Sequence, residues 1–356
     1  MKRKLPLRIG VLGLTHDHIW YNLKELRGVR DATLIAVADP NQPLLDRAKQ
    51  QFKCATYTDY AAMLDQEKLD AVYVYGDNAT GVELAELAAA HGLHVMIEKP
   101  LAATLEGADG VLAAARNHKV RLMVSWPFAW WPQLQAAIAL AQSGRIGKVW
   151  EVKYRAAHNG PREMGCSKYF YQWLYDPALN GAGALIDYCC YGAVLARVLL
   201  GMPSRVTGIA GKFCKEDIQV EDNAVIVMTY PHGLAVAEAS WSQIGYFNTY
   251  TPMIYGTKGT LMVEPRVGGK LWLATEKDPD GSIIKVPGQP SHLRHASAHF
   301  IHCLQTGEAF TPLTDLRLSR DAQEILEAGL ISAEAGTQIS LPLNPGARQG
   351  RVPSRP

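Results

Sequence analysis

The stretch RIGVLGLTHDHIW (8–20) decides the fold of this chain. Its first five residues form a short apolar run of the kind that opens a nucleotide-binding domain, and a helical pattern follows the turn. A dinucleotide loop needs glycine where the backbone turns tightly, where it approaches the pyrophosphate, and where the first helix packs on the sheet. Gly13 holds the first of these positions, whereas Thr15 and His18 hold the other two. The stretch therefore predicts a doubly wound domain with an incomplete glycine loop.

Apolar runs and helical patterns alternate over the first 125 residues. Continuous apolar strands between helices are typical of a parallel sheet covered on both faces, which binds ligands at the carboxyl ends of its strands. A flavodoxin-like domain of another purpose fits the same pattern, because fold does not fix function. The predicted strands are 8–12, 33–39, 71–75, 94–98 and 120–125, and the predicted helices lie near 18–27, 43–52, 79–91 and 104–118.

After about residue 126 the pattern changes to strands joined mostly by hairpins, with few helices. Such a run indicates a mostly antiparallel sheet and an α+β domain. We predict a dinucleotide-binding domain over 1–126, a substrate domain over 127–343 and a disordered tail over 344–356. One apolar face of the second sheet needs a cover, so we expect a homodimer or homotetramer that packs through it. The predicted elements are a helix from 130–132 to near 144, a helix over 184–200, and strands at 147–156, 204–213, 223–230, 234–241, 253–256 and 260–264.

The composition excludes several classes of partner. The chain has 356 residues, 48% of them hydrophobic, and 36 basic against 34 acidic side chains give a net charge of +2. No overall field of this size gathers nucleic acid or an anionic membrane. No apolar stretch approaches the roughly 18 uninterrupted residues of a membrane span. Because the six cysteines are scattered, we expect reduced thiols and a cytoplasmic protein.

The loop still offers contacts to an anion despite its missing glycines. We predict that the backbone N–H groups of residues 15–18 are free, and that the Thr15 hydroxyl caps the helix. Asp17 repels a pyrophosphate, and a protonated His16 or His18 offsets that charge. We predict no metal site at the triplet HDH (16–18), because no matching ligand cluster accompanies it. The candidate cofactor contacts are Gly13, Leu14, Thr15, His16, His18, Asp39, Gly76, Asn78, Glu98 and Lys99.

Two residues at strand ends carry the strongest chemical signals. Asp39 closes the second predicted strand, where an acid accepts hydrogen bonds from the adenosine ribose, so NAD is favoured over NADP. An Asp-Pro turn that caps the next helix is the alternative. Lys99 lies in IEKPL (97–101), where a packing role is hard to explain because lysine is seldom buried unless paired. Its ammonium can bond a substrate hydroxyl and shift a neighbouring pKa, although a surface loop lysine also fits.

Several motifs in one order resemble the Gfo/Idh/MocA family. They are VAD (37–39), EKP (98–100), SGRIGKV (143–149), NGAGALIDYCCYGAVLARVLLG (180–201) and YGTKGTL (255–261). The resemblance runs from about residue 7 to residue 340. It implies a nicotinamide-dependent oxidoreductase that acts on sugars, cyclitols or related polyols.

The resemblance also implies the acid/base residues. The family segment G-A-L-x-D-x-G-x-H matches 183–191 with Asp187 kept, Cys189 in place of glycine and Tyr191 in place of histidine. Members with tyrosine at this place use it as the acid/base partner of the EKP lysine, which often precedes a cis proline. We therefore expect Lys99 and Tyr191 to form the pair, Asp187 to orient Lys99 or substrate, and the ammonium to lower the pKa of the phenol. The alternative is that Tyr191 only packs.

Substrate contacts and rival functions complete the expectations. A loop with arginine and aromatics suits a hydroxylated or carboxylated ring, so His158, Arg162 and Trp173 are the candidates, with a solvated loop as the alternative. One rival is a silent regulatory protein that binds a nucleotide or sugar on this fold, which the incomplete loop favours. Another is an NAD-dependent glycosidase that works by transient oxidation and elimination.

Overall fold

The computed structural model describes residues 5–344 of the chain. The tail predicted over 344–356 lies outside the described residues except for Asn344. Two sheets organise the described part, one of six strands and one of nine.

The first sheet is parallel, in the strand order β3-β2-β1-β4-β5-β6. Strand order reverses between β1 and β4, and ligands of open α/β sheets bind outside the carboxyl ends of strands at such a point. All five predicted strands and four predicted helices are present, and the prediction missed β3 and α3. The elements are β1 Leu7–Leu12, α1 His18–Leu26, β2 Ala32–Ala38, α2 Gln42–Phe52, β3 Ala55–Tyr57, α3 Tyr60–Gln66, β4 Ala71–Val74, α4 Asn78–Ala90, β5 His94–Glu98, α5 Leu105–Asn117 and β6 Leu122–Ser125.

The second sheet has the order β14-β13-β12-β11-β7-β10-β9-β8-β15 and is antiparallel except between β10 and β7. A π-helical turn, Leu185–Cys189, leads into α9. The elements are α6 Pro132–Gln142, β7 Val149–Ala157, α7 Lys168–Leu174, α8 Pro177–Asn180, α9 Cys190–Leu200, β8 Arg205–Gly211, β9 Asn223–Tyr230, β10 Gly233–Ser240, β11 Met253–Gly256, β12 Gly259–Val263, β13 Leu271–Thr275, β14 Asp278–Ile284, α10 Ala296–Thr306, α11 Leu316–Ala335 and β15 Ile339–Ser340.

The expectation of few helices after residue 126 is wrong, because α6, α7 and α9 to α11 all follow it. Helices α9 and α11 pack on one face of the nine-stranded sheet, while α10 returns to α1, where Ser297 Oγ donates to the carbonyl of Asn22. Among the described residues, one helical stretch, Pro177–Leu200, is long and apolar enough to cross a membrane. Its most apolar window is 72% buried inside the protein, as in a core helix. All six cysteines are free thiols.

Candidate active site

Lys99 lies directly after β5 and is buried with a specific partner. Its side chain is 3% exposed, and Nζ lies 2.7 Å from Asp187 Oδ1 and 3.2 Å from the Asp187 carbonyl oxygen. The peptide bond between Lys99 and Pro100 is cis. The alternative of a surface loop lysine is therefore wrong.

The charge of Lys99 is fixed by Asp187. Burial alone lowers the pKa of the ammonium, but the nearby Asp187 carboxylate outweighs burial, with help from Cys190 and Glu98, and the net pKa is raised. The second carboxylate oxygen of Asp187 accepts a hydrogen bond from Trp241 Nε1 at 3.1 Å. Of the two roles expected for Asp187, the structure places it against Lys99.

Tyr191 presents its ring to the ammonium. Lys99 Nζ lies 5.1 Å from the Tyr191 ring centroid, within the range of a cation–π contact. The expectation that this neighbour lowers the pKa of the phenol is wrong, because burial raises it well above its ordinary value, and Cys190 and Tyr154 add to the rise. The Tyr191 hydroxyl is therefore neutral around pH 7.

Tyr188 is a candidate that the sequence analysis missed. It precedes Tyr191 by three residues, and Lys99 Nζ lies 5.8 Å from its ring centroid. Its hydroxyl accepts a hydrogen bond from the Tyr250 hydroxyl at 3.0 Å. Residues three apart share a helix face, so the motif DYCCY (187–191) already held this signal.

A cavity of about 330 Å³ joins the predicted residues. It lies between the two sheets at the carboxyl end of β5. Its size is at the lower end of the range for small-molecule sites and is too small for a whole dinucleotide. Its titratable lining includes His18, Lys99, His158, Asp187, Tyr188 and Tyr191.

Of the predicted substrate residues, one lines the cavity and the others lie outside it. His158 lines the cavity, its Nδ1 accepts the Gly160 N–H at 2.8 Å, and burial lowers its pKa to about 4, so the ring is neutral. Arg162 instead pairs on the surface with Asp217 at 2.6 Å and with Glu163 at 3.0 Å. The expectation of a substrate contact is not met at Arg162, because these carboxylates hold its guanidinium outside the cavity lining.

The glycine loop after β1 keeps its first turn. Gly13 has φ +84°, and a Cβ there would lie 2.7 Å from the backbone nitrogen of Gly76. The N–H of Leu14 donates to Asp39 Oδ2 at 2.6 Å. Loop and strand ends therefore pack backbone against backbone at the reversal of strand order.

The rest of the loop differs from the expectation. The N–H of His16 donates to the Tyr75 carbonyl at 3.0 Å, and the N–H of His18 donates to His16 Nδ1 at 3.2 Å. The prediction of free N–H groups is thus wrong at both positions. Thr15 caps nothing, since Asp17 precedes α1. Burial lowers the pKa of His16 well below its ordinary value, so His16 does not offset the Asp17 charge.

Helix α7 covers this loop. The N–H of Ser167 donates to Asp17 Oδ2 at 2.7 Å, and the rings of Phe170 and His16 lie 4.3 Å apart. Trp173, a predicted substrate residue, packs on His16 and Phe170 and is outside the cavity lining. The segment around α7 therefore lies where the dinucleotide groove meets the second domain.

Two further cofactor candidates are engaged by the protein itself. Asp39 is fully buried, and its Oδ1 accepts the Asn41 N–H at 2.7 Å, as in the turn given as the alternative. Asn78 Nδ2 donates to Asn180 Oδ1 at 2.8 Å, so its amide is directed to α8. The ribose contact of Asp39 stays a prediction.

Comparisons with known proteins identify relatives of both halves of the chain. Residues 7–126 match a family model described as an oxidoreductase family with an NAD-binding Rossmann fold. Residues 134–262 match the model of the GFO/IDH/MocA C-terminal domain. The two matches together cover more than half of the chain.

Individual relatives include sugar dehydrogenases. The chain is 29% identical over 296 residues to a D-xylose 1-dehydrogenase (NADP(+)) of Haloferax volcanii, covering 80% of this chain and 84% of the relative. It is 27% identical over 349 residues to a D-apiose dehydrogenase of Paraburkholderia graminis, covering 93% and 88%. A structure of levoglucosan dehydrogenase with NADH and levoglucosan has a TM-score of 0.79 at 19% identity, covering 95% of this chain and 100% of that one. This last likeness shows the fold alone.

Proposed function

Because this chain belongs to the GFO/IDH/MocA family of oxidoreductases, we propose that it moves a hydride between a nicotinamide cofactor and a hydroxyl or carbonyl carbon of a sugar, cyclitol or related polyol. The observation that carries this proposal is that the Lys99 ammonium and the Tyr191 phenol line one cavity beside the parallel sheet. A regulatory protein that only binds a nucleotide or sugar needs no acid/base pair, so the presence of this pair argues against that rival function.

Residues at the strand ends fit a dinucleotide in part. Gly13 and Gly76 approach so closely that a side chain at position 13 would clash, so the loop keeps the tight turn that a dinucleotide loop requires at its first glycine. When bound, the nicotinamide supplies the hydride acceptor or donor. We propose NAD, because the Asp39 carboxylate lies at the end of β2, where it would repel a 2′-phosphate.

The chain's own residues then perform the proton and charge chemistry. Lys99, held protonated by Asp187, stabilises negative charge on the substrate oxygen. Tyr191, neutral at pH 7, donates its hydroxyl proton to that oxygen during reduction and is left as the phenolate, and in the reverse oxidation it is this phenolate that accepts the substrate hydroxyl proton. His158 and Tyr188 line the same cavity and are placed to orient ring hydroxyls.

The test compares three variants of the full chain. Tyr191→Phe and Lys99→Ala should each lower turnover by at least about 100-fold, the scale of an acid/base group, with a panel of aldoses, polyols, cyclitols and sugar acids. Tyr188→Phe is the matched control, because it removes a second phenol near the same ammonium, and it should lose much less. The absorbance of NADH reports turnover.

Cofactor binding checks that the variants are folded. NAD should raise the melting temperature of the wild type and of each variant, and more than NADP does. Turnover near the wild-type rate in Tyr191→Phe, or a larger loss in Tyr188→Phe, would reject the pairing of Lys99 with Tyr191. No response of the wild type to either nucleotide would favour the silent regulatory protein, which the occupied N–H groups of His16 and His18 also favour. NAD that stays bound without net reduction would favour the elimination glycosidase.

A further inference from the structure

Three side chains of metal-ligand type meet at the ends of two strands. His16 and His18 follow β1, and Glu98 is the last residue of β5. One ring nitrogen of each histidine and one carboxylate oxygen lie within 4.8 Å of one another. His18 Nδ1 lies 3.0 Å from Glu98 Oε1. The topology thus supplies the third ligand that the triplet HDH lacks in the sequence, so the reason for predicting no metal site there is wrong.

The other oxygen of Glu98 has no partner. Glu98 is 95% buried, and its Oε2 makes no hydrogen bond to any described residue. A buried carboxylate oxygen without a donor is costly, whereas hydrogen bonds or a cation compensate it. This unpaired oxygen is an observation independent of the spacing of the three ligands, and it points to a positively charged partner.

We propose that His16, His18 and Glu98 bind one divalent transition-metal ion, of which Zn²⁺ is the representative. Two imidazole nitrogens and one carboxylate oxygen are a ligand set of zinc sites that keep open positions, with bonds of about 2.0–2.2 Å. Mg²⁺ and Ca²⁺ prefer oxygen ligands throughout, so this set selects against them. The site goes beyond the proposed hydride transfer, which needs no metal.

The ion would change the balance of charge around the loop. Asp17 and Glu98 are both acidic, and the N–H groups of His16 and His18 are used within the protein. A divalent cation supplies the positive charge that the missing glycines and the neutral His16 ring do not provide. His18 also lines the cavity with Lys99, so an ion held by His18 would lie beside the cavity.

Metal binding competes with hydrogen bonds that the three ligands make in the present arrangement. His16 Nδ1 accepts the N–H of His18, and a neutral imidazole has only one lone pair. Coordination by either nitrogen of His16 therefore replaces this bond. The exchange gives up this hydrogen bond, and also the one between His18 Nδ1 and Glu98 Oε1 if those two atoms coordinate, and in return places a cation beside the unpaired Glu98 Oε2.

The experiment titrates ZnCl₂ into chelator-treated full-length protein by calorimetry, without nucleotide or substrate. Wild type should bind one Zn²⁺ at this site, and Glu98→Gln and His18→Ala should each weaken its affinity by at least about tenfold. Loss of a residue that only hydrogen-bonds to a metal ligand already lowers metal affinity by about 10- to 100-fold. MgCl₂ should bind more weakly. Glu98→Gln keeps the side-chain shape, so melting temperatures without metal separate lost binding from lost folding.

A second cluster on the surface provides the matched control. His292, His302 and Glu308 also bring three ligand atoms within 4.8 Å of one another, and they are more exposed. His302→Ala should leave the affinity of the proposed site unchanged. Absence of Zn²⁺ binding by the wild type, or binding that is lost in His302→Ala and kept in Glu98→Gln, would overturn the proposal. The calorimetric readout needs no turnover, so Zn²⁺ binding can be confirmed or rejected even if the proposed oxidoreductase activity is not found.

Discussion

At the scale of single residues, the site depends on one buried charge pair. Lys99 and Asp187 come from different domains of the predicted division, and each is almost fully buried with the other 2.7 Å away. A buried pair of this kind is seldom a device for stability, because desolvation of both groups costs about as much as their attraction returns. A function that needs a buried ammonium at the wall of the cavity gives the better reason for the pair.

Neutralising Asp187 should move the alkaline limit of activity. In Asp187→Asn, burial acts on Lys99 without the opposing carboxylate, so the pKa of Lys99 falls below its raised value in the wild type. We expect kcat in the reductive direction to decline at a lower pH than in the wild type, because the ammonium is lost. Near pH 8, kcat of the variant should already be reduced by up to about tenfold. The measurement is the pH profile of kcat and of KM.

Trp241→Phe is the control for this shift. It removes the hydrogen bond from Trp241 Nε1 to Asp187 Oδ2 and leaves the carboxylate charge in place. Its alkaline limit should stay near that of the wild type. Equal pH profiles for Asp187→Asn and wild type would contradict the positioning role of Asp187.

At the scale of elements, the sequence predicts strands best where both faces of a strand are buried. Strand β4 is apolar throughout and β5 is apolar between its terminal His94 and Glu98, so both short runs stand out between helices. Strand β3 has only three residues, and the seven residues of α7 are mostly aromatic. Neither segment therefore shows a clear hydrophobic periodicity of the strand or helix type. The structure shows that α7 packs on the glycine loop, a contact that no local pattern encodes.

The turn at Gly13 can be tested against a matched glycine. Both Gly13 and Gly92 have positive φ, +84° and +74°, but a Cβ at Gly92 meets nothing within 4 Å. Gly92→Ala should cost only the left-handed backbone strain, about 1–2 kcal/mol. Gly13→Ala adds the contact with the Gly76 nitrogen, so we expect a further loss of about 1–3 kcal/mol. Urea unfolding of both variants measures the difference, and equal losses would show that the loop relaxes away from Gly76.

At the scale of the whole molecule, the family resemblance found in the motifs is confirmed by matches in both halves of the chain. The site itself is harder to predict, because it joins segments far apart in sequence. Lys99 and Tyr191 were placed together by resemblance, whereas Tyr250 reaches Tyr188 from a loop without any motif. The rise in the pKa of Tyr191 follows from the burial of its side chain, which depends on the complete fold and not on neighbours in sequence.

We expect copies of the chain to associate through the uncovered face of the nine-stranded sheet. Along β9, side chains alternate between buried and partly exposed, and Val225 and Val227 lie on the partly exposed face. Across the ladder, Val225 pairs with Ile209, which is 65% exposed, and Val227 pairs with Val236. This apolar face, opposite α9 and α11, is what a second copy would cover.

Val227→Glu should therefore shift the protein from a dimer or tetramer to a monomer, since an unpaired charge cannot be buried between two sheets without a large cost. Size-exclusion chromatography with light scattering at several concentrations measures the mass. Ile244→Glu is the matched control, because Ile244 is an apolar residue that is 92% exposed in a loop outside the strands, and it should keep the wild-type mass. If wild type is a monomer at every concentration, or if only Ile244→Glu dissociates the assembly, the face of β9 is not the contact between copies.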